Sequence, residues 1–209
     1  MKFKIKEISI YIEETIFFTL ILMCLFMNIN EYLSSYIMCY LFIMFHEFAH
    51  ILVANIFNIS ITKVEFRTLG MCAKLDNFNR KGLKWICIFL AGPLANLLLA
   101  IIFRSNIMIM SINIAMMLIN LMPIYPLDGY NILTIIIDGI NINNKFKLQR
   151  NIEKITYVLI MLIGIIQLVK YGNPSILLLA IYAYIQSKTA EQNNTKIMYQ
   201  KYYKNITNF

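Results

Sequence analysis

Apolar residues occur in six long runs along the chain, separated by shorter polar segments. The runs cover residues 15–29, 36–57, 83–103, 107–127, 155–169 and 174–187. A helix needs about 20 apolar residues to cross the hydrocarbon of a bilayer, and tilt or local thinning accommodates the shorter runs. The pattern therefore predicts an all-α polytopic membrane protein with six transmembrane helices.

The cations are distributed unevenly between the segments that separate these runs. Of 19 Lys and Arg residues, only Arg104 and Lys170 fall in the turns predicted to lie on one side, and all the others fall on the opposite side. Positively charged loops remain in the cytoplasm, so the distribution places both termini there. An odd number of spans would scatter the cations over both faces, which also favours six.

The composition agrees with a membrane protein and excludes several other classes. Hydrophobic residues make up 59% of the chain, charged residues only 14%, and the mean hydropathy is +0.65. Soluble domains have about 45–50% apolar and about 25% charged residues. The net charge of +8 comes from cations between apolar runs rather than from a basic helix, so no nucleic-acid partner is expected. The four cysteines lack the CxxC spacing of a metal cluster.

One segment, residues 59–76, differs from the rest because its apolar and polar residues alternate. Ile59 and Ile61 alternate with Ser60 and Thr62, and the alternation continues through Val64 and Phe66. A period of two is typical of short strands. The segment is predicted to be a small β-hairpin beside the active site whose edge, residues 59–66, receives an extended substrate; the alternative is a polar loop. The predicted organisation is a six-span domain over residues 1–187, with its core at 36–140, and a polar, basic cytoplasmic tail over 188–209.

The only two histidines of the chain lie in one string, His46-Glu47-Phe48-Ala49-His50, inside the second apolar run. Residues four apart on a helix lie about one turn apart on nearly the same face, so both imidazoles can reach one metal ion. The intervening carboxylate is placed to accept a proton from metal-bound water. The string is the HExxH zinc signature. It predicts one Zn²⁺ per chain bound by His46 and His50, with Glu47 as general base.

A catalytic zinc ion usually has three protein ligands, and the chain offers no third histidine. Asp128 is the candidate, because an aspartate in apolar sequence is costly unless it is paired or metal-bound. Pro123 and Pro126 interrupt the helix before it, which frees the backbone to direct the carboxylate inward. Alternatively, Asp128 caps a short helix that begins near Tyr130, a role compatible with ligation.

These motifs together resemble a known family. The HExxH string, followed by Asn120-x-x-Pro123-x-x-Pro126-Leu127-Asp128-Gly129, is similar to the site-2 proteases, zinc metalloproteases that cleave within membranes. Ala91-Gly92-Pro93-Leu94-Ala95-Asn96 also matches a family motif. The order and spacing resemble most the stage IV sporulation protease branch, the FB protein. The resemblance implies zinc held by His46, His50 and Asp128, catalysis by Glu47, and an oxyanion stabilised by Asn120. It also implies that residues 59–76 form a small membrane-associated β-hairpin.

The resemblance further implies hydrolysis of a peptide bond in a membrane-associated protein, such as a sigma-factor precursor in sporulation, under control of membrane-embedded inhibitory proteins. A transmembrane anti-sigma factor is the alternative substrate. Two other classes stay open. A membrane metal-binding or transport protein would not need Glu47. A gluzincin peptidase would use a downstream glutamate, and Glu65, Glu153 and Glu191 all lack the apolar setting of Asp128.

Overall fold

The structure, a computed structural model, describes residues 2–5, 8–12, 29–67, 70–75, 82–140, 144–174 and 176–189. The chain divides into two compact units, Met1–Asn120 and Leu121–Phe209. Among the described residues, three helical segments are long and apolar enough to cross a membrane: Ile37–Ile56, Leu83–Ile102 and Lys145–Tyr171. The helices Ile107–Asn120 and Ile176–Thr189 are apolar but shorter. The chain is a membrane protein with several candidate spans.

The first unit contains helices α1 (Ile29–Ile56), α2 (Leu83–Ile102) and α3 (Ile107–Asn120), and α2 packs against both of the others. These helices coincide with three of the predicted runs. However, α3 ends at Asn120 rather than at residue 127, because Pro123 and Pro126 cannot continue a helix. The predicted run 15–29 lies outside the described residues apart from its last position.

The two faces of α1 carry opposite kinds of residue. Positions spaced four apart, Phe42, His46, His50 and Ala54, are buried within the unit, whereas the large apolar side chains Leu41, Phe45, Phe48 and Leu52 are exposed. A soluble helix hides its apolar stripe and exposes its polar residues. Here both histidines point inward and the apolar residues point outward, as expected of a helix surrounded by lipid.

A four-stranded sheet joins two hairpins in the order β1-β2-β3-β4, with β1 at Lys2–Ile5, β2 at Ile8–Ile12, β3 at Ile61–Arg67 and β4 at Gly70–Leu75. The hairpin predicted within residues 59–76 is confirmed by the antiparallel pairing of β3 with β4. The N-terminal hairpin was not predicted, and it extends the sheet through a parallel pairing of β2 with β3. The alternation of Lys2, Phe3, Lys4 and Ile5 is the signal that points to it.

The position of β3 inside the sheet corrects the predicted docking edge. Because Lys63–Phe66 of β3 pair with β2 on one side and with β4 on the other, this part of the strand offers no open edge to an extended substrate. The predicted docking edge is therefore wrong for Lys63–Phe66, and docking along residues 59–62 stays a prediction. The two strands at the edges of the sheet are β1 and β4, and β4 contacts α1.

The second unit contains α4 (Asp128–Gly139), α5 (Lys145–Tyr171) and α6 (Ile176–Thr189). Its core consists of Ile124, Ile160, Ala180 and Ala183, so the segment before α4 packs with α5 and α6. The six described helices are not the six predicted spans, since α4 was not among them. Helix α5 begins well before residue 155, because its Lys- and Arg-rich first turns favour helix without being apolar. The predicted tail lies outside the described residues beyond Thr189.

Candidate metal centre

The two histidines of α1 bring one nitrogen each to a common point inside the first unit. Both side chains are buried, and His46 Nε2 lies 3.1 Å from His50 Nε2. The rings meet edge to face, with centroids 4.8 Å apart. The helical spacing predicted from the sequence therefore produces convergent imidazoles on one face of α1.

The orientation of the His50 ring is fixed by the backbone of α2. His50 Nδ1 lies 2.6 Å from the carbonyl oxygen of Ile88. A carbonyl can only accept a hydrogen bond, so Nδ1 carries the proton and donates it. In the neutral ring this leaves the lone pair on Nε2, the atom that faces His46.

Two further residues of α2, Gly92 and Asn96, follow Ile88 at intervals of four positions and also contact the histidines. Gly92 lies against both rings, because a Cβ added there would be 2.5 Å from His46 Nε2 and would also overlap His50. Asn96 is fully buried, with its Nδ2 3.1 Å from His46 Nδ1. Ile88, Gly92 and Asn96 form one stripe on α2 that holds the two rings in place.

Glu47 belongs to the same cluster. Its carboxylate and the ligand nitrogens of His46 and His50 all lie within 4.8 Å of one another, and Glu47 is half-buried. Within the described part of the chain, this is the group of His, Cys, Asp and Glu residues able to hold a metal ion. A carboxylate in this position can either bind the ion or accept a proton beside it.

The arrangement fits a zinc ion on three counts. Two nitrogens bound tetrahedrally to zinc, each about 2.0–2.1 Å from it, lie about 3.3 Å apart, close to the observed 3.1 Å. Metal-binding histidines usually engage their other ring nitrogen with a protein group, as His50 and His46 do with Ile88 and Asn96. Both histidines are also buried within an apolar helix, where an ionisable side chain is costly unless it has a partner such as a metal ion.

Asn120, the predicted oxyanion donor, is the last residue of α3. Its side chain is half-buried, and Nδ2 donates one hydrogen bond to the carbonyl of Met116, one turn earlier, at 3.1 Å. An amide nitrogen has two hydrogens, so one hydrogen is left for another acceptor. Its role as oxyanion donor stays a prediction.

Asp128, the predicted third ligand, is the first residue of α4 in the second unit and is half-buried. The glycine that follows it is required by packing. A Cβ at Gly129 would lie 2.6 Å from the carbonyl oxygen of Met122 and would overlap the backbone of Leu121. Because a backbone cannot move aside as a side chain can, the first turn of α4 needs glycine at this position. The assignment of Asp128 as a zinc ligand stays a prediction.

A polar network supports the segment before α4. The Glu153 carboxylate of α5 accepts hydrogen bonds from Tyr125 N at 3.4 Å and from Ser187 Oγ at 3.0 Å. Tyr130, the residue that follows Gly129, packs edge-on against Tyr125. Burial, followed by the nearby Glu153 and Tyr125, raises the pKa of the Tyr130 phenol. Glu153 is thus a structural partner of this segment.

The contributions of Ile88 and Gly92 and the contact of Asn96 were not predicted from the sequence. A signal was present, because the three residues recur every four positions and two of them fall in the Ala91–Asn96 motif. Spacing alone cannot reveal that a backbone carbonyl or an empty Cβ position supports a histidine.

The fold is similar to that of a solved membrane protease. The structure resembles the site-2 protease from Methanocaldococcus jannaschii with a TM-score of 0.64, covering 90% of this chain and 94% of that chain at 22% sequence identity. The chain therefore has the site-2 protease fold.

The sequence is also similar to the zinc metalloprotease MJ0392 of Methanocaldococcus jannaschii. The two are 26% identical over 186 residues, which is 82% of this chain and 52% of the relative. The chain thus spans about half the length of this relative. No protein-family model matches the chain.

Proposed function

We propose that this protein is an intramembrane zinc metalloprotease of the site-2 type. The observation that carries the proposal is the cluster of His46, Glu47 and His50 buried in an apolar helix, with the two Nε2 atoms 3.1 Å apart. Ionisable residues inside a membrane helix are costly and usually functional. The site-2 protease fold and the similarity to a zinc metalloprotease support the same assignment.

Each residue of the site has a separate role in peptide hydrolysis. His46, His50 and Asp128 would hold the zinc ion, which when bound would lower the pKa of a water molecule and polarise the scissile carbonyl. Glu47 accepts the proton from the attacking water and later delivers it to the leaving amine. Asn120 donates its second amide hydrogen to the oxygen on which negative charge develops. The buried stripe of α2 keeps the histidines oriented throughout.

The active site lies toward the cytoplasmic half of the membrane in this proposal. Helix α1 ends at Ile56, six residues after His50, which is about 9 Å along a helix. The charge distribution assigns that end of α1, and both termini, to the cytoplasm. Water and substrate would therefore reach the site from the cytoplasmic side.

Topology can be measured directly with reporter fusions. Fusions at Lys81, at Lys147 and at the C-terminus are expected to report a cytoplasmic location, because each lies in a lysine-rich segment. A fusion at Ser105, between α2 and α3, is expected to report the opposite side. An external signal at Lys147 would contradict the proposed orientation.

The proposed substrate is a membrane-associated protein, specifically a sigma-factor precursor of sporulation, with membrane-embedded proteins that inhibit the protease. The sequence resemblance to the sporulation branch is the support for this finer assignment. A transmembrane anti-sigma factor is the competing substrate, and a direct comparison of the two decides between them.

The function is tested with purified protein reconstituted in liposomes together with each candidate substrate. We expect cleavage of the sigma-factor precursor that stops when a zinc chelator is added and returns when zinc is restored, because the attacking water depends on the metal. Cleavage of the anti-sigma factor alone would move the protein to another branch of the proteases. Cleavage that is unaffected by the chelator would overturn the metalloprotease assignment.

A further inference from the structure

Asn96 is a fully buried polar side chain of α2 that lies beside the buried His46 of α1. Its relative exposure is 0%, and its amide contacts His46 Nδ1 on one side. On the other side Oδ1 has no hydrogen-bond partner among the described residues. Burying a polar atom without a partner costs about 1–3 kcal/mol, so a residue retained at that cost calls for a functional explanation.

The hydrogen bonds between these residues form one directed chain. His50 donates from Nδ1 to Ile88 O, so the neutral ring offers Nε2 as an acceptor. His46 Nε2, 3.1 Å away, is then the donor, which leaves His46 Nδ1 to accept from Asn96 Nδ2. With neutral rings, the direction of the whole chain follows from the single carbonyl of Ile88.

Zinc binding changes which nitrogen of His46 must carry the proton. If His46 gives the lone pair of Nε2 to zinc, the proton of the neutral ring must be on Nδ1. Nδ1–H then needs an acceptor, and an amide oxygen is one whereas an amide nitrogen is not. A half-turn of the Asn96 side chain about its last bond exchanges Nδ2 for the unpartnered Oδ1, because the two ends of an amide have nearly the same shape.

We infer that Asn96 is a positioning residue for the zinc ligand His46: its amide oxygen accepts the Nδ1 proton and thereby presents Nε2 to the metal. The inference rests on the proposed zinc function. It assigns to Asn96 the role that Ile88 O has for His50, so each ligand histidine is oriented by a different group of α2. Partners of this kind raise the basicity of the histidine, and their loss typically lowers metal affinity about 10–100-fold.

The chain provides a matched control for this idea. Asn113 of α3 is also fully buried, donates through Nδ2 to the carbonyl of Ile109 in its own helix at 2.9 Å, and has an Oδ1 without a partner among the described residues. Asn96 and Asn113 are thus equally buried asparagines, and of the two only Asn96 forms a hydrogen bond with a histidine among the described residues. Replacing either asparagine with leucine removes the buried amide and keeps the same number of heavy atoms in the side chain.

The experiment measures zinc affinity of the full-length purified protein by competition with a chelator of known affinity. Asn96→Leu is expected to weaken zinc binding about 10–100-fold. Asn113→Leu is expected to leave it within about twofold of wild type. Asn96→Asp is expected to restore affinity to the wild-type value or above, because a carboxylate can only accept the Nδ1 proton. Failure of Asn96→Leu to weaken binding, or an equal loss in Asn113→Leu, would overturn the inference.

A second readout does not depend on stability or activity. The chain has only two histidines, so selective ¹⁵N labelling of histidine gives signals from two rings alone. In the zinc-loaded protein we expect both rings to carry the proton on Nδ1. A zinc-loaded His46 without a proton on Nδ1 would contradict the inference while leaving the protease function intact. Wild-type protein that binds no zinc would remove the proposed function and the inference together.

Discussion

Asp128→Asn and His46→Ala are each expected to lower the zinc affinity of the purified protein by at least about 100-fold. Loss of a group that only supports a ligand already costs about 10–100-fold, so loss of a ligand itself should cost no less. The amide introduced by Asp128→Asn would keep the shape of the carboxylate but lack its negative charge, and zinc prefers a carboxylate. Wild-type protein is expected to bind about one zinc ion per chain, measured by elemental analysis and chelator competition.

The matched control for Asp128→Asn is Asp138→Asn in the same helix. Asp138 is exposed near the end of α4, so its replacement is expected to leave zinc binding unchanged. If Asp128→Asn kept full affinity and full activity, the third ligand would have to be another group, and Glu47 is the carboxylate already next to both histidines.

Gly92→Ala extends this series to a residue that offers the metal no ligand atom. The added methyl group would overlap both imidazole rings, so the rings must rotate away from their shared point. The expected result is a loss of zinc comparable to that of His46→Ala. Gly139→Ala is the control, because a Cβ at Gly139 meets nothing within 4 Å. Normal zinc binding by Gly92→Ala would mean that α1 and α2 are not packed as described.

The two histidines and Gly92 differ in how far the sequence could predict them. His46 and His50 converge because residues four apart share a helix face, a property of the helix that needs no knowledge of the neighbours. Gly92 acts through the space it leaves against rings of another helix. That space depends on how closely α1 and α2 approach, which no spacing within either helix encodes.

The fold, too, was predicted only in part from the sequence. Long apolar runs predicted α1, α2 and α3 well, because crossing a bilayer demands a continuous apolar helix. The first ten residues of α5 were missed because Lys145, Lys147 and Arg150 are strong helix formers without being apolar. The inner position of β3 was missed because it depends on pairing with β2, about fifty residues earlier in the chain.

Glu47→Gln separates catalysis from metal binding. We expect this variant to hydrolyse the reconstituted substrate about 10²–10⁴-fold more slowly than wild type, since that is the usual contribution of a general base. Its zinc content and its insertion into the membrane should match wild type, because glutamine has nearly the same size and Glu47 is assigned to proton transfer. His46→Ala provides the contrast, because it should lose zinc and cleavage together.

Each outcome of the Glu47→Gln experiment has a distinct consequence for the cluster of His46, Glu47 and His50. Loss of zinc by Glu47→Gln would make Glu47 a ligand, and the general base would have to be another residue. Full cleavage by Glu47→Gln would exclude proton transfer by this carboxylate. If wild-type protein binds zinc but cleaves no substrate, and Glu47→Gln behaves identically, the cluster is a metal-binding site without hydrolytic activity. Slow cleavage with normal zinc is the pattern expected if Glu47 transfers the proton, because a general base affects the rate of hydrolysis without holding the metal.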